Sequence, residues 1–137
     1  MPYVFYALLS ALAASATAIL AKLGVAGIPS NLATAIRTAV VLVFATGIAV
    51  ATKQHQLLPT IKGRSLLFLV LSGLGTGASW LAYFKALQMA PASRVAPLDK
   101  LSLAFTIVLA ALVLGEQITW RVGAGAALMV AGALLTL

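Results

Sequence analysis

Two charged residues lie inside long apolar runs of the sequence, where a charge needs a chemical reason. Arg37 follows Asn31 by six positions, and Asp99 follows Ser93 by six. At about 1.5 Å of rise per residue, each charge lies ~9 Å beyond the start of its predicted helix, and both helices are predicted to start at the same face of the membrane. Ionised groups are costly in an apolar phase unless they are paired or hydrated, and they often mark a binding site. We interpret Arg37 and Asp99 as ligand-orienting groups that can also pair with each other; a structural salt bridge, or snorkelling of Arg37, is the alternative.

Hydroxyl side chains accompany these charges at helical spacing. Ser72, Thr76, Ser79 and Tyr83 recur at i, i+4, i+7 and i+11, which places them on one face at about 100° per residue. A single Ser or Thr usually bonds to its own helix or to a neighbouring one. A stripe that contains an embedded charge instead favours a polar cavity. The other two stripes are Asp99, Ser102 and Thr106 on one helix, and Asn31, Thr34, Arg37 and Thr38 on another.

One further cation, Lys100, joins the candidate binding set. It lies about 160° around the helix from Ser102, so snorkelling or contact with another subunit is its alternative, and the same holds for Lys85. Embedded Arg37, Lys100 and Asp99 sum to a net positive region, which favours an anionic or zwitterionic ligand over a cationic one. The predicted binding residues are Arg37, Thr38, Ser79, Tyr83, Asp99, Lys100 and Ser102.

Aromatic and small residues lie close to these positions. Trp80, Tyr83 and Phe84 are able to line a site, but Trp80 and Phe84 fit lipid-facing or packing positions equally well. Gly73 and Gly77 form a GxxxG pattern, which permits close helix packing and is common in membrane helices. These residues therefore do not choose a particular interface.

Composition narrows the class of protein. Of 137 residues, 63% are hydrophobic and 8% charged, and the mean hydropathy of +1.12 is too high for a water-soluble domain. With no cysteine, one histidine and two acids, we expect no protein-held metal and no other cofactor. The net charge of +7 is spread over loops and helix ends, so nucleic acid is not an expected partner. Signatures such as GxSxG, HExxH and a Walker loop are absent, so we expect no enzyme.

Five apolar runs of about 20 residues predict an all-α integral membrane protein with five transmembrane helices. Ser30 or Asn31 is predicted to cap the second helix, and Thr119 the fifth. An odd number of spans places the chain ends on opposite sides of the bilayer, and the nearly balanced Lys and Arg residues orient it weakly. The helices are predicted from Pro2 to about Val25, from Ser30 or Asn31 to about Ala51, from about Arg64 to Met89, from about Ser93 to Leu114, and from Thr119 to Leu137.

Four stretches carry a resemblance to a known family: NLATAIRT at 31–38, YFKALQMA at 83–90, ASRVAPLDK at 92–100, and Leu114-Gly115-Glu116 before a last helix rich in Gly and Ala. Together they resemble the EamA domain of the drug/metabolite transporter superfamily. The resemblance covers essentially the whole chain and implies one EamA-like domain at residues 1–137. Typical members have ten helices in two such domains of opposite orientation, with substrate bound between them. The single copy here implies an antiparallel homodimer of ten helices with dual topology.

The same resemblance implies a secondary transporter in the inner membrane of a prokaryotic cell, in contact with the lipid bilayer. It implies alternating access and export of an amino acid or a related small metabolite. In that role Arg37 and Asp99 orient polar groups of the substrate, while Ser79, Tyr83 and Ser102 supply hydrogen bonds. Two other functions stay open, a non-transporting membrane assembly partner and a lipid-carrier flippase.

Overall fold

The computed structural model describes residues 2–137, and every regular element in that range is helical. A 3₁₀ helix, Gln54–Thr60, precedes the third α-helix, and a π-helical turn, Ala110–Leu114, follows the fifth. The described residues form two compact units, one of residues 2–20 with 89–137 and one of residues 21–88. The α-helices are α1 (Pro2–Gly24), α2 (Ser30–Ala51), α3 (Gly63–Met89), α4 (Ala92–Asp99), α5 (Leu101–Leu109) and α6 (Trp120–Leu134).

Among the described residues, four stretches are long and apolar enough to cross a membrane. They are α1, α2, α3 and the stretch Ala92–Leu114, with 23, 22, 27 and 23 residues. At about 1.5 Å per residue, each exceeds the ~30 Å of a hydrocarbon core. Helix α6 has 15 residues, or about 22 Å. The chain is therefore a multi-pass membrane protein, and a fifth full-length span stays a prediction.

Large apolar side chains on these helices are widely exposed. Phe44 is 69% exposed, Leu74 67% and Leu112 77%. Water would make such a surface very unfavourable, whereas lipid tails are as apolar as leucine and solvate it without penalty. The exposure therefore agrees with a chain that lies in a bilayer.

In the unit of residues 21–88, side-chain contacts bring the start of α2 close to the end of α3 in an antiparallel sense, since Arg37 contacts Trp80 and Gln88 bonds to Ile28. Phe84 and Leu87 on α3 are 3% and 0% exposed, and Ala33 and Thr34 on α2 are also buried. Val25, in the turn between α1 and α2, completes this core. The buried side chains of this unit therefore lie at the start of α2, at the end of α3 and in the turn that precedes α2.

Two hydrogen bonds tie the connection between α1 and α2 to the end of α3. The Lys22 ammonium donates to the carbonyl of Leu87, and Nε2 of Gln88 donates to the carbonyl of Ile28 at 2.6 Å. The last four carbonyls of a helix have no partner within it, and a cation suits the negative end of the helix dipole. Lys22 therefore caps α3 from outside the helix.

In the other unit, α6 packs against α4 and α5, with Val95 and Ala133 buried. Gly115 follows the π-helical turn, and its φ of +70° is a conformation that glycine adopts without strain. The Thr119 hydroxyl accepts a hydrogen bond from the amide of Val122 at 3.4 Å. The predicted cap of the last helix is therefore confirmed.

Three predicted boundaries differ from the structure. The residue that caps α2 is Pro29, with no side-chain cap, so capping by Ser30 or Asn31 was wrong because both are already helical. The fourth predicted helix divides at Lys100, where a ψ of −7° and a bond from the Lys100 amide to the Pro97 carbonyl three residues back interrupt the α-helical pattern. The last helix ends at Leu134 rather than at Leu137.

Candidate functional site

The Arg37 side chain lies over the ring of Trp80. Its guanidinium carbon Cζ is 3.2 Å from the ring centre, which is a contact distance for a cation on an aromatic face. Arg37 follows the start of α2 by seven residues, and Trp80 precedes the end of α3 by nine. Both residues are half-buried. The antiparallel hairpin thus brings an embedded cation level with an aromatic ring.

Trp80 is part of an aromatic cluster on α3 that consists of Trp80, Tyr83 and Phe84. The Tyr83 ring meets Trp80 edge-on, with centroids 5.4 Å apart and an angle of 78°. Phe84 lies 5.7 Å from Trp80 at 56°. Tilted and edge-to-face pairs of this kind are favourable beyond the area that they bury. Two neighbouring rings therefore hold the surface on which Arg37 rests.

The charges in this unit are all of one sign. Residues 21–88 contain no Asp or Glu, because the chain's two acids are Asp99 and Glu116. Within residues 21–88, therefore, no carboxylate can neutralise Arg37. The cations of this unit are Lys22, Arg37, Lys53, Lys62, Arg64 and Lys85.

Asp99 and Lys100 form an ion pair at the junction of α4 and α5. Lys100 Nζ lies 3.2 Å from Asp99 Oδ2, and the side chains are 35% exposed for Asp99 and 55% for Lys100. Where water reaches them, adjacent charges with this much exposure contribute little to stability and can exchange partners. Arg37 and Asp99 belong to different units, so their pairing stays a prediction.

Threonines of the three predicted stripes bond to carbonyls one turn back in their own helices. At these positions the hydroxyl donates its hydrogen to a carbonyl of the same helix, as Ser and Thr hydroxyls often do. Ser79 and Ser102 are both exposed. The bonds run from Thr38 to Thr34, from Thr76 to Ser72 and from Thr106 to Ser102, at 2.8, 2.9 and 2.8 Å.

The structure joins some of the predicted residues and leaves others apart. Arg37 and Tyr83 contact the same ring, and Asp99 contacts Lys100. From the sequence, Trp80 fits a packing position and a lipid-facing position equally well. The depth of Trp80 along α3 could have indicated its contact with Arg37. Trp80 lies about 13 Å from the end of α3 and Arg37 about 10 Å from the start of α2, and these two helix ends are predicted to lie on the same side of the membrane.

A separate cavity of about 540 Å³ lies beside the two hydrogen bonds that join the α1–α2 connection to the end of α3. Its polar side chains, Lys22 and Gln88, are those that bind the Leu87 and Ile28 carbonyls. Their hydrogen bonds make this cavity part of the helix connection. Among the described residues, no group of three His, Cys, Asp or Glu side chains could hold a metal ion.

Comparison with known proteins adds two findings. The sequence pattern of the EamA-like transporter family matches residues 1–137. A protein of Sinorhizobium sp. named "uncharacterized transporter in cobO 3'region" is 53% identical over 131 residues, which cover 96% of this chain and 93% of that protein. No solved structure matches the chain.

Proposed function

Because the chain belongs to the EamA-like transporter family, we propose that it is a secondary transporter of a small anionic or zwitterionic metabolite. Amino acids are the proposed substrate class, and export across the inner membrane of a prokaryotic cell is the proposed direction. The name of the Sinorhizobium relative, which is 53% identical, supports the transport class.

The observation that carries the substrate class is the environment of Arg37. This cation lies within the span α2, over Trp80, in a unit without a carboxylate. Embedded charges are expensive unless they are paired or hydrated. An anionic group of the substrate supplies a counter-charge while it is bound, and water hydrates the guanidinium when the site is empty.

The remaining predicted residues have complementary roles. Asp99 accepts the ammonium group of a zwitterion by exchanging it for Lys100, which its 35% exposure allows. The Ser79, Tyr83 and Ser102 hydroxyls hydrogen-bond to the substrate. Thr38 donates to its own helix but keeps lone pairs with which it accepts a further bond.

The proposed assembly is an antiparallel homodimer. Alternating access in such transporters uses two inverted repeats around one midplane site, and the family match covers one EamA-like unit. Two copies with five spans each, inserted in opposite directions, supply both repeats and ten helices. Reporter fusions at residues 27, 57, 91 and 117 are expected to alternate sides in either orientation.

Transport by proteoliposomes tests the substrate class. Vesicles that hold the purified protein are given a panel of radiolabelled neutral, acidic and basic amino acids. Arg37→Gln is expected to lower transport of neutral or acidic members by at least about tenfold, because a charge-assisted hydrogen bond contributes ~1.5–3 kcal/mol. Arg64→Gln, at the exposed start of α3, is the matched control. Transport of basic members alone, unaffected by Arg37→Gln, contradicts the proposed substrate class.

Water access tests whether a cavity exists at all. The chain has no cysteine, so Ser79→Cys and Ser102→Cys each create one thiol. Both are expected to react with a membrane-impermeant thiol reagent in the folded protein. Inert thiols together with absent transport would instead favour an assembly partner whose polar stripes only pack helices.

Orientation is tested by adding three lysines to one terminus. A protein locked in one orientation is expected to lose transport and to regain it when an oppositely locked copy is co-expressed. Normal transport by the singly locked protein contradicts the antiparallel dimer.

A further inference from the structure

We propose that Trp80 is a positioning residue that presents the edge of the Arg37 guanidinium to a carboxylate of the substrate. The inference rests on the proposed transport function and names the chemical group that the site recognises. It assigns a role to a residue that the sequence left undecided.

The contact geometry leaves the donors of Arg37 available. A guanidinium is planar, with its five N–H donors in the plane and none on its faces. With Cζ 3.2 Å from the ring centre, we infer a face-on stack, because an edge-on guanidinium would bring a nitrogen too close to the ring. Such a stack uses none of the donors, which stay in the plane of the group for a planar acceptor. Two parallel N–H bonds match the two oxygens of a carboxylate.

The charge of the surroundings favours a monoanionic group. Within residues 21–88 no acid competes for Arg37, so a bound carboxylate meets a cation that no acid of its own unit neutralises. One guanidinium neutralises one negative charge. The free carboxylate of an amino acid fits this balance, whereas its uncharged amide does not.

The ring itself is held in place by the core of the hairpin. Trp80, Phe84 and Leu87 recur at i, i+4 and i+7 on α3, and the last two are 3% and 0% exposed. This face of α3 is therefore a packed face, and the half-buried Trp80 lies on it in contact with Tyr83 and Phe84. A long arginine side chain loses conformational entropy when a ligand orders it. A fixed ring that orders it beforehand removes part of this cost.

Fluorescence of Trp80 provides a direct test of the carboxylate. The chain has two tryptophans, and the second, Trp120, is 78% exposed at the start of α6. In a Trp120→Phe protein in lipid vesicles, Trp80 is the sole tryptophan. The probes are neutral L-amino acids and their C-terminal amides. We expect saturable changes in Trp80 emission with the free neutral amino acids and no change with their amides. When Arg37→Gln is added, we expect no change with either probe.

Transport kinetics test the positioning role. Trp80→Phe keeps an aromatic face, and we expect the half-saturating amino-acid concentration to rise about two- to threefold, since aromatic faces share the attraction for cations. Trp80→Leu removes the face, and a rise of at least about tenfold with a similar maximal rate is expected. Trp120→Leu is the matched control, expected to leave both constants unchanged. When Arg37→Lys is already present, Trp80→Leu is expected to raise the half-saturating concentration little further, because the planar guanidinium that the ring positions has been removed.

Each other outcome overturns a distinct statement. Equal responses of Trp80 to acids and amides overturn carboxylate recognition. Transport by Trp80→Leu with the parent half-saturating concentration overturns the positioning role while the transport function stands. If Trp80→Leu fails to fold, an unchanged constant in Trp80→Phe overturns positioning, and a two- to threefold rise supports it. Absence of transport for the whole panel, with the fluorescence response intact, overturns the proposed function and leaves the binding role supported.

Discussion

Replacing Asp99 by asparagine separates a binding role from a structural role for the embedded carboxylate. Asp99 pairs with Lys100 at 3.2 Å, and the two side chains are 35% and 55% exposed. Exposed pairs contribute about 0.2–1 kcal/mol, well below the ~3–5 kcal/mol lost when a buried pair is broken. Lys100 is more than half exposed and can snorkel to polar surroundings once its partner is gone. We therefore expect Asp99→Asn to lower the free energy of unfolding by at most about 1 kcal/mol.

The effect on transport is expected to be larger. A hydrogen bond between the carboxylate and a substrate ammonium group contributes ~1.5–3 kcal/mol, so its loss lowers transport by at least about tenfold. Thermal unfolding and uptake are measured on the same preparation, with Glu116→Gln as control because Glu116 is the only other acid of the chain. Unchanged transport by a well-folded Asp99→Asn protein would remove Asp99 from the site. A fold that fails, and that Lys100→Met restores, would refute the binding role in favour of a structural pair.

Two further substitutions test how the fold is held. Gln88→Met removes the amide that donates to the Ile28 carbonyl at 2.6 Å and keeps the side-chain length, so the free energy of unfolding in mixed micelles is expected to fall by about 1 kcal/mol. The exposed Gln56→Met is its control, and equal unfolding midpoints would show that this tether does not stabilise the hairpin. Gly115→Ala places a Cβ at a φ of +70°, which costs an L residue about 1–2 kcal/mol although the space around it is open. Gly47→Ala in α2 is expected to be neutral or slightly stabilising, and equal stability of the two alanine variants would contradict the strain argument.

Several features of this protein depend on local sequence and were therefore predictable. Long apolar runs separated by Gly, Pro and charged residues define the membrane class, because the cost of exposing or burying a segment depends mainly on its own composition. The Thr119 cap needs three neighbouring residues and no tertiary contact. Helical spacing and rise were sufficient to place Arg37 inside its helix, whereas Asp99 is the last residue of α4, where the predicted helix divides. The family match over residues 1–137 agrees with the resemblance of the motifs.

The partners of those charges were decided only by the tertiary structure. Spacing gives the depth and angle of Arg37, but its contact with Trp80 depends on how closely α2 approaches α3 at that level. The hydroxyl of Thr38 bonds to its own helix through a choice of rotamer that the stripe pattern does not encode. Asp99 meets its neighbour Lys100 at the break between α4 and α5, although a regular helix points adjacent residues about 100° apart. Sequence periodicity thus determines where a polar group lies along and around a helix, whereas packing between helices and side-chain rotamers determine what it contacts.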